Sequence, residues 1–308
     1  KQAVTSSAQG ALADLQAAKV GYGSGTVNVN INRDMQTADG WWHGSDERGT
    51  SDKELSVLRV MASNGKPLAV LMNYAVQSSV LDGSVQADGK QAISADLGGA
   101  ATAYLSERLP GAVAFFAVGA AGDQAPLFQA NRYVLDENGK SARIDIHDAG
   151  YDLLALQSER LGMEALRVEE GIQAKDSDVL RLVKGSVSCE TQAMNHNTQG
   201  IQPVKSYDYK ETGKEDVPIE IMQIGDGVLV GVQPELAAKI GQEIKAKSPY
   251  KHTMVLTMVN GAAKYMADQD SYDKYTYEAI NSKYAKGSAE KVEAKALTML
   301  KEMKQKDA

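Results

Sequence analysis

Two short turn signals, each lying between apolar runs, constrain the fold of this chain most strongly. Asn64 and Gly65 separate the apolar residues 55–61 from residues 67–74. Asn-Gly is a strong hairpin signal because both residues tolerate the positive φ angles of a tight turn. Asp226 and Gly227 separate the runs IEIMQIG and VLVGV in the same way. Each signal therefore predicts two neighbouring antiparallel strands.

Helical and strand-like segments alternate along the rest of the chain. Further strands are predicted at 20–32, 112–118, 179–189 and 253–259, and helices at 5–18, 97–108, 149–170, after Pro234 and at 288–304. Alternating elements with inserted hairpins favour an α/β fold with mixed β-sheets layered against helices. A chain of 308 residues can form one such domain over 1–308, and the polar stretch 195–215 is the one candidate boundary.

Composition excludes several classes of function. The formal net charge is −7, with acidic and basic residues interspersed, so no basic surface for nucleic acid is expected. No apolar run approaches the roughly 20 residues that a membrane-spanning helix needs. Cys189 is the only cysteine, which rules out an internal disulfide and a zinc-finger site.

Three loops that follow predicted strands have the composition of candidate sites. The first begins at Gln77, the second runs through Gly119 to Asp123, and the third leads from Asn260 to Tyr265. Small residues in the second loop would let a ligand approach backbone N–H groups, although such loops more often reflect tight packing. Asp96, Asp123 and Glu235 are also candidates for a carboxylate cluster that binds Mg²⁺ or Ca²⁺ or performs acid–base chemistry. For Asp96 the alternative is a helix N-cap.

Several segments, taken in order, resemble the N-terminal catalytic domain of the neutral/alkaline ceramidase family, in particular its bacterial members. The matching segments are NINRD, SDKELSVLRV, GKPLAVLMNYAVQSSVL, ISADLGGAA, VGAAGDQAP, VGVQPEL and NGAAKYM followed by YEA. The resemblance implies an enzyme that hydrolyses the amide bond of N-acyl sphingoid lipids. It also implies one zinc ion held by two histidines, a glutamate and a tyrosine, with a serine beside the metal.

Carried over to this chain, the resemblance assigns two metal ligands and shows three departures. Glu235 matches the glutamate ligand and Tyr265 the tyrosine ligand. Gln77 stands where a histidine ligand is expected, and an amide oxygen is a poor zinc donor. The other histidine belongs to a Thr-His-x-His motif expected before Lys1, which leads us to expect an N-terminal portion that precedes residue 1 and associates with this chain. No serine stands near Gly119.

The histidines of the chain do not rebuild the missing site. They are His43, His147, His196 and His252, and no two have the spacing of a ligand pair. His43 lies beside Trp41 in a polar segment that lacks periodicity, so we expect an irregular loop that lines a substrate pocket. Core packing of the tryptophans is an equal alternative. Ser78 and Asp96 are the remaining candidates for substrate contact.

The sequence leaves three hypotheses of function. The first is a ceramidase-like hydrolase that acts on an amide or ester bond of a small or lipid-like substrate, with an altered zinc site. The second is a non-catalytic binding or structural relative that kept the scaffold. The third is an enzyme in which Asp123 and the backbone amides of 119–122 hold a polar group such as a sugar or phosphate. Export to the periplasm or the cell exterior is expected from the resemblance alone.

Overall fold

The computed structural model describes residues 1–194 and 202–306 of the chain. Its helices are α1 (Gln2–Ala13), α2 (Asp96–Arg108), α3 (Gly150–Glu170), α4 (Ala238–Lys247), α5 (Gln269–Asp273), α6 (Tyr277–Ile280) and α7 (Ser288–Gln305). Its strands are β1 (Ala18–Thr26), β2 (Asn30–Thr37), β3 (Gly40–Asp46), β4 (Glu54–Ala62), β5 (Pro67–Tyr74), β6 (Val113–Val118), β7 (Gln124–Pro126), β8 (Asn131–Leu135), β9 (Ser141–Asp145), β10 (Leu180–Gln192), β11 (Glu211–Ile224), β12 (Gly227–Val232), β13 (Glu235–Leu236), β14 (His252–Leu256) and β15 (Tyr265–Met266). This arrangement confirms the predicted mixed α/β class.

The first large sheet has the strand order β1-β4-β5-β6. Strands β4 and β5 form the predicted hairpin, with Val57 opposite Met72. After β5 the chain passes through α2 and returns as β6, which pairs with β5 in parallel. Buried side chains such as Leu55 and Val70 pack against Leu97 of α2 and Leu161 of α3. The sheet is thus covered by two helices.

The second large sheet has the order β10-β11-β12-β14 and repeats this pattern of pairings. Strands β11 and β12 form the other predicted hairpin, and β14 pairs with β12 in parallel after α4. The core contains Ile219 and Val230 of the sheet together with Ile240 of α4 and Leu300 of α7. Both sheets therefore end in a parallel strand that follows a helical crossover.

The two large sheets meet at the ends of these parallel strands. The Asn73 side-chain amide donates to the Val255 carbonyl oxygen at 2.9 Å, and the Thr257 backbone N–H donates to the Val118 carbonyl at 3.1 Å. The carboxyl ends of β5, β6, β12 and β14 consequently open toward one region. Loops at such strand ends are where α/β proteins place their binding sites.

Two expectations for the first fifty residues were wrong. The predicted strand 20–32 is divided between β1 and β2, because the chain leaves the first sheet after Thr26 and joins a small sheet of order β3-β2-β7. The segment around His43, predicted to be irregular, is strand β3. It forms a hairpin with β2 around a turn that ends at Gly40, whose φ of +136° suits glycine.

Two later expectations also need correction. Strands β8 and β9 form a hairpin that our prediction lacked, although Asn138 and Gly139 carry the same turn signal as the others. Pro234 does not begin a helix: residues 235–236 form β13, and α4 begins at Ala238. The first part of the polar stretch 195–215, including His196, lies outside the described residues, and its last part belongs to β11. The single domain over 1–308 stays a prediction.

Candidate functional site

The structure brings the three side chains of the predicted metal site together. Gln77 follows β5, while Glu235 of β13 and Tyr265 of β15 are partners in a short parallel sheet. The Gln77 side-chain amide donates to the Glu235 carboxylate at 3.2 Å. Loops from both large sheets therefore converge on one cleft. The roles of Glu235 and Tyr265 as metal ligands remain predictions.

Arg33 of β2 occupies the centre of this cleft. Its Nη1 donates to the Gln77 side-chain oxygen at 3.3 Å, and its Nη2 donates to the Gly122 carbonyl at 2.6 Å. Its guanidinium carbon lies 5.0 Å from the centre of the Tyr265 ring. Arg33 is only 7% exposed. A buried cation thus connects the side chains that the resemblance assigns to zinc.

Two buried carboxyl groups accompany this arginine. Arg33 Nε donates to Glu278 at 2.6 Å. Burial alone would raise the pKa of Glu278, but the charge of Arg33 and the hydrogen bond with Asp34 together outweigh it, and the pKa is lowered. Burial and the negative Glu278 raise the pKa of Asp34 well above its ordinary value. Asp34 is therefore the protonated partner, and its carboxyl group donates to ionised Glu278.

Aromatic side chains surround His43. The His43 ring lies 3.9 Å from the Tyr277 ring, centre to centre, and stacks on the buried Trp42 at 5.3 Å. Burial, reinforced by the charge of Arg33, lowers the pKa of His43 to about 3. His43 is therefore neutral at physiological pH. Trp41 lies outside this group, half-buried beneath the Lys274 ammonium at 4.8 Å.

The loop that follows β6 is occupied by structural contacts. The Gly119 N–H donates to the Tyr74 carbonyl and the Gly122 N–H to the Leu236 carbonyl, both at 2.8 Å. Asp123 accepts from the Ala238 N–H at 2.8 Å and from the Asn32 side chain at 3.1 Å. These amides and both oxygens of Asp123 are already engaged. The geometry gives no support to a ligand cradle that uses Gly119, Gly122 or Asp123.

Ser78 and Asp96 also bind the protein's own backbone. The Ser78 hydroxyl accepts from the Gly98 N–H at 2.9 Å at the start of α2. The Asp96 carboxylate accepts from the N–H groups of Val80 and Leu81 at 2.8 and 3.0 Å. Asp96 is the first residue of α2 and not its N-cap, which is Ala95. Both side chains hold the loop after Gln77 against the helix.

Glu235 is the carboxylate of the cleft that is best placed for chemistry. Burial raises its pKa above the ordinary value, against the opposing charge of Arg33. One of its oxygens accepts from Gln77. Because no hydrogen bond from a described residue reaches the other oxygen, Glu235 keeps a free acceptor at the edge of the cleft. Carboxyl groups with raised pKa values in clefts are candidates for acid–base catalysis.

The donor atoms of the cleft do not form a zinc site by themselves. Zinc sites in enzymes use about three protein ligands, drawn from imidazole, thiolate and carboxylate groups. The cleft offers the Glu235 carboxylate, the Tyr265 phenol and the Gln77 amide, with the Arg33 guanidinium in contact with two of them. Within 1–194 and 202–306, no group of three or more His, Cys, Asp or Glu side chains is arranged to hold a metal ion.

Several residues of this site were missed by our sequence analysis. Arg33 and Asp34 stand in the NINRD segment, and Tyr277 and Glu278 in the YEA segment. In the sequence analysis these two segments served only to support the resemblance to ceramidases, and no role was assigned to their residues. The ionisable residues inside these matching segments were the available signal. Arg33 and Glu278 are more than 240 positions apart along the chain, so the sequence alone did not indicate their contact.

Comparison with solved structures places this fold among the ceramidases. Neutral ceramidase from Pseudomonas aeruginosa matches with a TM-score of 0.71 and 18% identity, over 98% of this chain and 54% of that protein. A ceramidase complexed with C2 matches with a TM-score of 0.71 and 17% identity, over 97% of this chain and 55% of that protein. No protein-family model matches the sequence, and no curated protein does.

The chain spans little more than half the length of these two enzymes. At such low identity the likeness shows the fold alone. None of the helices among the described residues combines the length and hydrophobicity of a membrane span. We conclude that the chain has a ceramidase-like fold, with a cleft centred on Arg33 at the junction of its two large sheets.

Proposed function

We propose that this chain is a ceramidase-like hydrolase with an altered site, which cleaves an amide or ester bond of an N-acyl, lipid-like substrate. The observation that carries the proposal is the position of Glu235. Its carboxylate has a raised pKa, one oxygen is held by Gln77, and the other is free to accept a proton. The names of the two structural neighbours supply the substrate class.

The residues of the cleft suggest how the reaction would proceed. Glu235 takes a proton from a water molecule as the water oxygen attacks the carbonyl carbon of the substrate. The Tyr265 phenol donates a hydrogen bond to the oxygen on which negative charge develops. Glu235 then returns the proton to the departing nitrogen or oxygen, and the bond to the acyl group breaks. Gln77 and Arg33 position Glu235 and Tyr265.

The resemblance predicts zinc at this site, whereas the reaction that we propose uses Glu235 and Tyr265 without it. Glu235 and Tyr265 are the residues of this chain that would hold it, and they need further ligands from outside the described residues. Association with an N-terminal segment and export from the cell remain part of the same proposal. No step of the reaction described above depends on a metal ion.

Hydrolysis of fluorogenic N-acyl amides and of p-nitrophenyl acyl esters tests the proposal. We expect the wild-type protein to release product and the Glu235→Gln variant to lose at least about 100-fold in rate, because a general base is removed. Glu302→Gln, at an exposed position of α7, is the matched control and should keep full activity. Equal rates for wild type and Glu235→Gln would refute the role of Glu235.

A non-catalytic binding relative is the second candidate. The network of Arg33, Gln77 and Glu278 favours it, because Arg33, at the centre of the cleft, already binds the side chains of the other two residues. This candidate predicts no turnover by the wild-type protein but saturable binding of an N-acyl ligand. The same substrate series, measured by calorimetry as well as by rate, separates the two candidates.

A further inference from the structure

A small cavity adjoins the cleft on the side of Gln77. Its volume is about 100 Å³, and its walls come from β3, the loop after β5 and the hairpin β8–β9. Gln77, Arg33 and His43 belong both to this cavity and to the cleft around Glu235. A group bound in the cavity therefore lies beside Gln77, whose side chain holds Glu235.

The cavity has the opposite charge balance to the rest of the molecule. The chain carries 40 acidic and 33 basic residues. The cavity is lined by the guanidinium-bearing residues Arg33, Arg132 and Arg143 and by a single acidic residue, Asp82. A concave site enriched in arginine on an acidic protein favours a negatively charged ligand.

Two of these arginines lack a carboxylate partner. Arg33 is neutralised by Glu278 at 2.6 Å. Arg132 Nη1 donates to the Gln129 carbonyl at 3.3 Å, and Arg143 Nε donates to the Asn131 side-chain oxygen at 2.6 Å. Neither forms an ion pair with an acidic side chain of the described residues. Because each uses one nitrogen on a neutral acceptor, further N–H groups remain for a ligand.

The contacts of Arg143, which is itself exposed, hold its charge at the rim of the cavity. Its guanidinium lies 5.3 Å from the centre of the Tyr133 ring. It is also close enough to His43 to act on that ring electrostatically. Stacking on Tyr133 and the bond to Asn131 fix the plane of the guanidinium. A fixed guanidinium fork matches the geometry of a carboxylate group.

The size of the cavity limits what can enter it. A volume of about 100 Å³ suits a carboxylate with one or two carbon atoms, whereas an acyl chain or a sphingoid base requires far more space. The anion is therefore a terminal group of the ligand. Any acyl chain has to lie outside this cavity.

We infer that this cavity binds the carboxylate of an acidic substrate, with Arg143 as its main contact. The inference rests on the proposed hydrolase function and narrows its substrate to N-acyl amino acids, whose carboxylate lies close to the amide bond. The acyl group then extends toward Glu235, and the carboxylate stays beside Arg143.

Calorimetric binding to the Glu235→Gln variant tests this inference without turnover. The probes are N-acetylglycine and its uncharged analogue N-acetylglycinamide. We expect saturable binding of N-acetylglycine at least about tenfold tighter than that of the amide, and weakening with added salt. Arg143→Gln should remove this preference, and Arg48→Gln, at a position whose side chain is 89% exposed, should retain it.

Three results would overturn the inference. They are equal binding of the two probes, absence of binding by either, and tighter binding of inorganic phosphate than of N-acetylglycine. Hydrolysis of uncharged N-acyl amides is measured separately, so that loss of the acid preference and loss of hydrolase activity are distinguishable. A folded Arg143→Gln variant, checked by its unfolding transition, excludes collapse of the β8–β9 hairpin as the cause.

Discussion

At the scale of single residues, the cleft is organised by one buried arginine. Arg33 contacts Gln77, Glu278 and Tyr265, and its charge favours the ionised form of Glu278. Sequence reasoning identified Gln77 and Tyr265 but not Arg33. A histidine at position 77 could not accept the same hydrogen bond from Arg33 when its ring nitrogen binds a metal. Glutamine at position 77 therefore suits a cleft in which Arg33 donates a hydrogen bond to that side chain.

Replacing Gln77 by histidine should not by itself create a zinc site. The Gln77→His variant would offer one imidazole with Glu235 and Tyr265, beside the positive charge of Arg33. We expect less than stoichiometric zinc after dialysis, measured by elemental analysis, because the cation repels the metal ion. One tightly held zinc ion per chain in this variant would contradict our view of the cleft and favour a decayed metal enzyme.

Asp123 should make the protein less stable as the pH rises from about 4 to 6. Burial raises the pKa of Asp123 to about 6, against the lowering effect of the Ala238 N–H. The folded chain therefore binds this proton more tightly than the unfolded chain, whose carboxyl titrates near its ordinary value. The stabilisation is complete below the pKa of the unfolded carboxyl and is lost as the pH rises through the folded pKa. The total loss in the free energy of unfolding is on the order of 3 kcal/mol.

Chemical unfolding at several pH values measures this effect. Asp123→Asn removes the titrating group and should flatten the slope of the unfolding free energy between pH 4 and 6. The exposed Asp39→Asn variant is the control and should keep the slope of the wild type. A slope that is the same in Asp123→Asn as in the wild type would show that Asp123 does not titrate in this range in the folded state.

At the scale of secondary structure elements, glycines decide how closely the helices approach. Gly162 of α3 lies against the Tyr104 ring of α2, and a Cβ placed there would be 2.5 Å from a ring carbon. Gly10 of α1 has no atom within 4 Å of the same position. From helix propensity alone, alanine would be favoured at both positions.

The structure predicts opposite outcomes for these two substitutions. Gly162→Ala should lower the free energy of unfolding by about 1–3 kcal/mol, because the added methyl group overpacks the contact between α2 and α3. Gly10→Ala should leave that free energy unchanged or slightly raise it, since α1 has no buried residue. Urea unfolding of both variants provides the measurement. A stabilised Gly162→Ala protein would disprove the close helix contact.

Local turn chemistry explains which elements were predictable from sequence. The β4–β5 hairpin followed from Asn64 and Gly65, whose conformational freedom is a local property. The β2–β3 hairpin was missed because its turn at Gly40 lies beside residues without clear alternation. The division between β1 and β2 has no local cause, since the chain changes sheets there. In the site, Glu278 was missed because its contact with Arg33 exists only in the folded chain.

At the scale of the whole molecule, one buried ion pair supports the junction of the two sheets. Lys245 of α4 and Asp52, just before β4, lie 2.6 Å apart, with side chains 14% and 9% exposed. The pair connects an element that covers the second sheet to the start of a strand in the first. Its charges are largely removed from water.

Breaking this pair from one side should be costly, and removing both charges should not. We expect Asp52→Asn to lower the free energy of unfolding by about 1–3 kcal/mol, because buried Lys245 is left with only the exposed Glu54, at 3.5 Å, as a carboxylate partner. The double variant Asp52→Asn with Lys245→Met should recover most of that loss. Urea unfolding of the two single variants and the double variant gives the coupling free energy. Additive losses would mean that the two charges do not interact.

The central claim is that Glu235 performs hydrolysis in this cleft without zinc. The most direct measurement is the rate of N-acyl amide hydrolysis by chelator-treated protein as a function of pH. We predict a rate that rises as Glu235 loses its proton, above the ordinary pKa of a glutamate, and that added zinc does not increase. Activity that disappears with the chelator and returns with zinc would contradict this account.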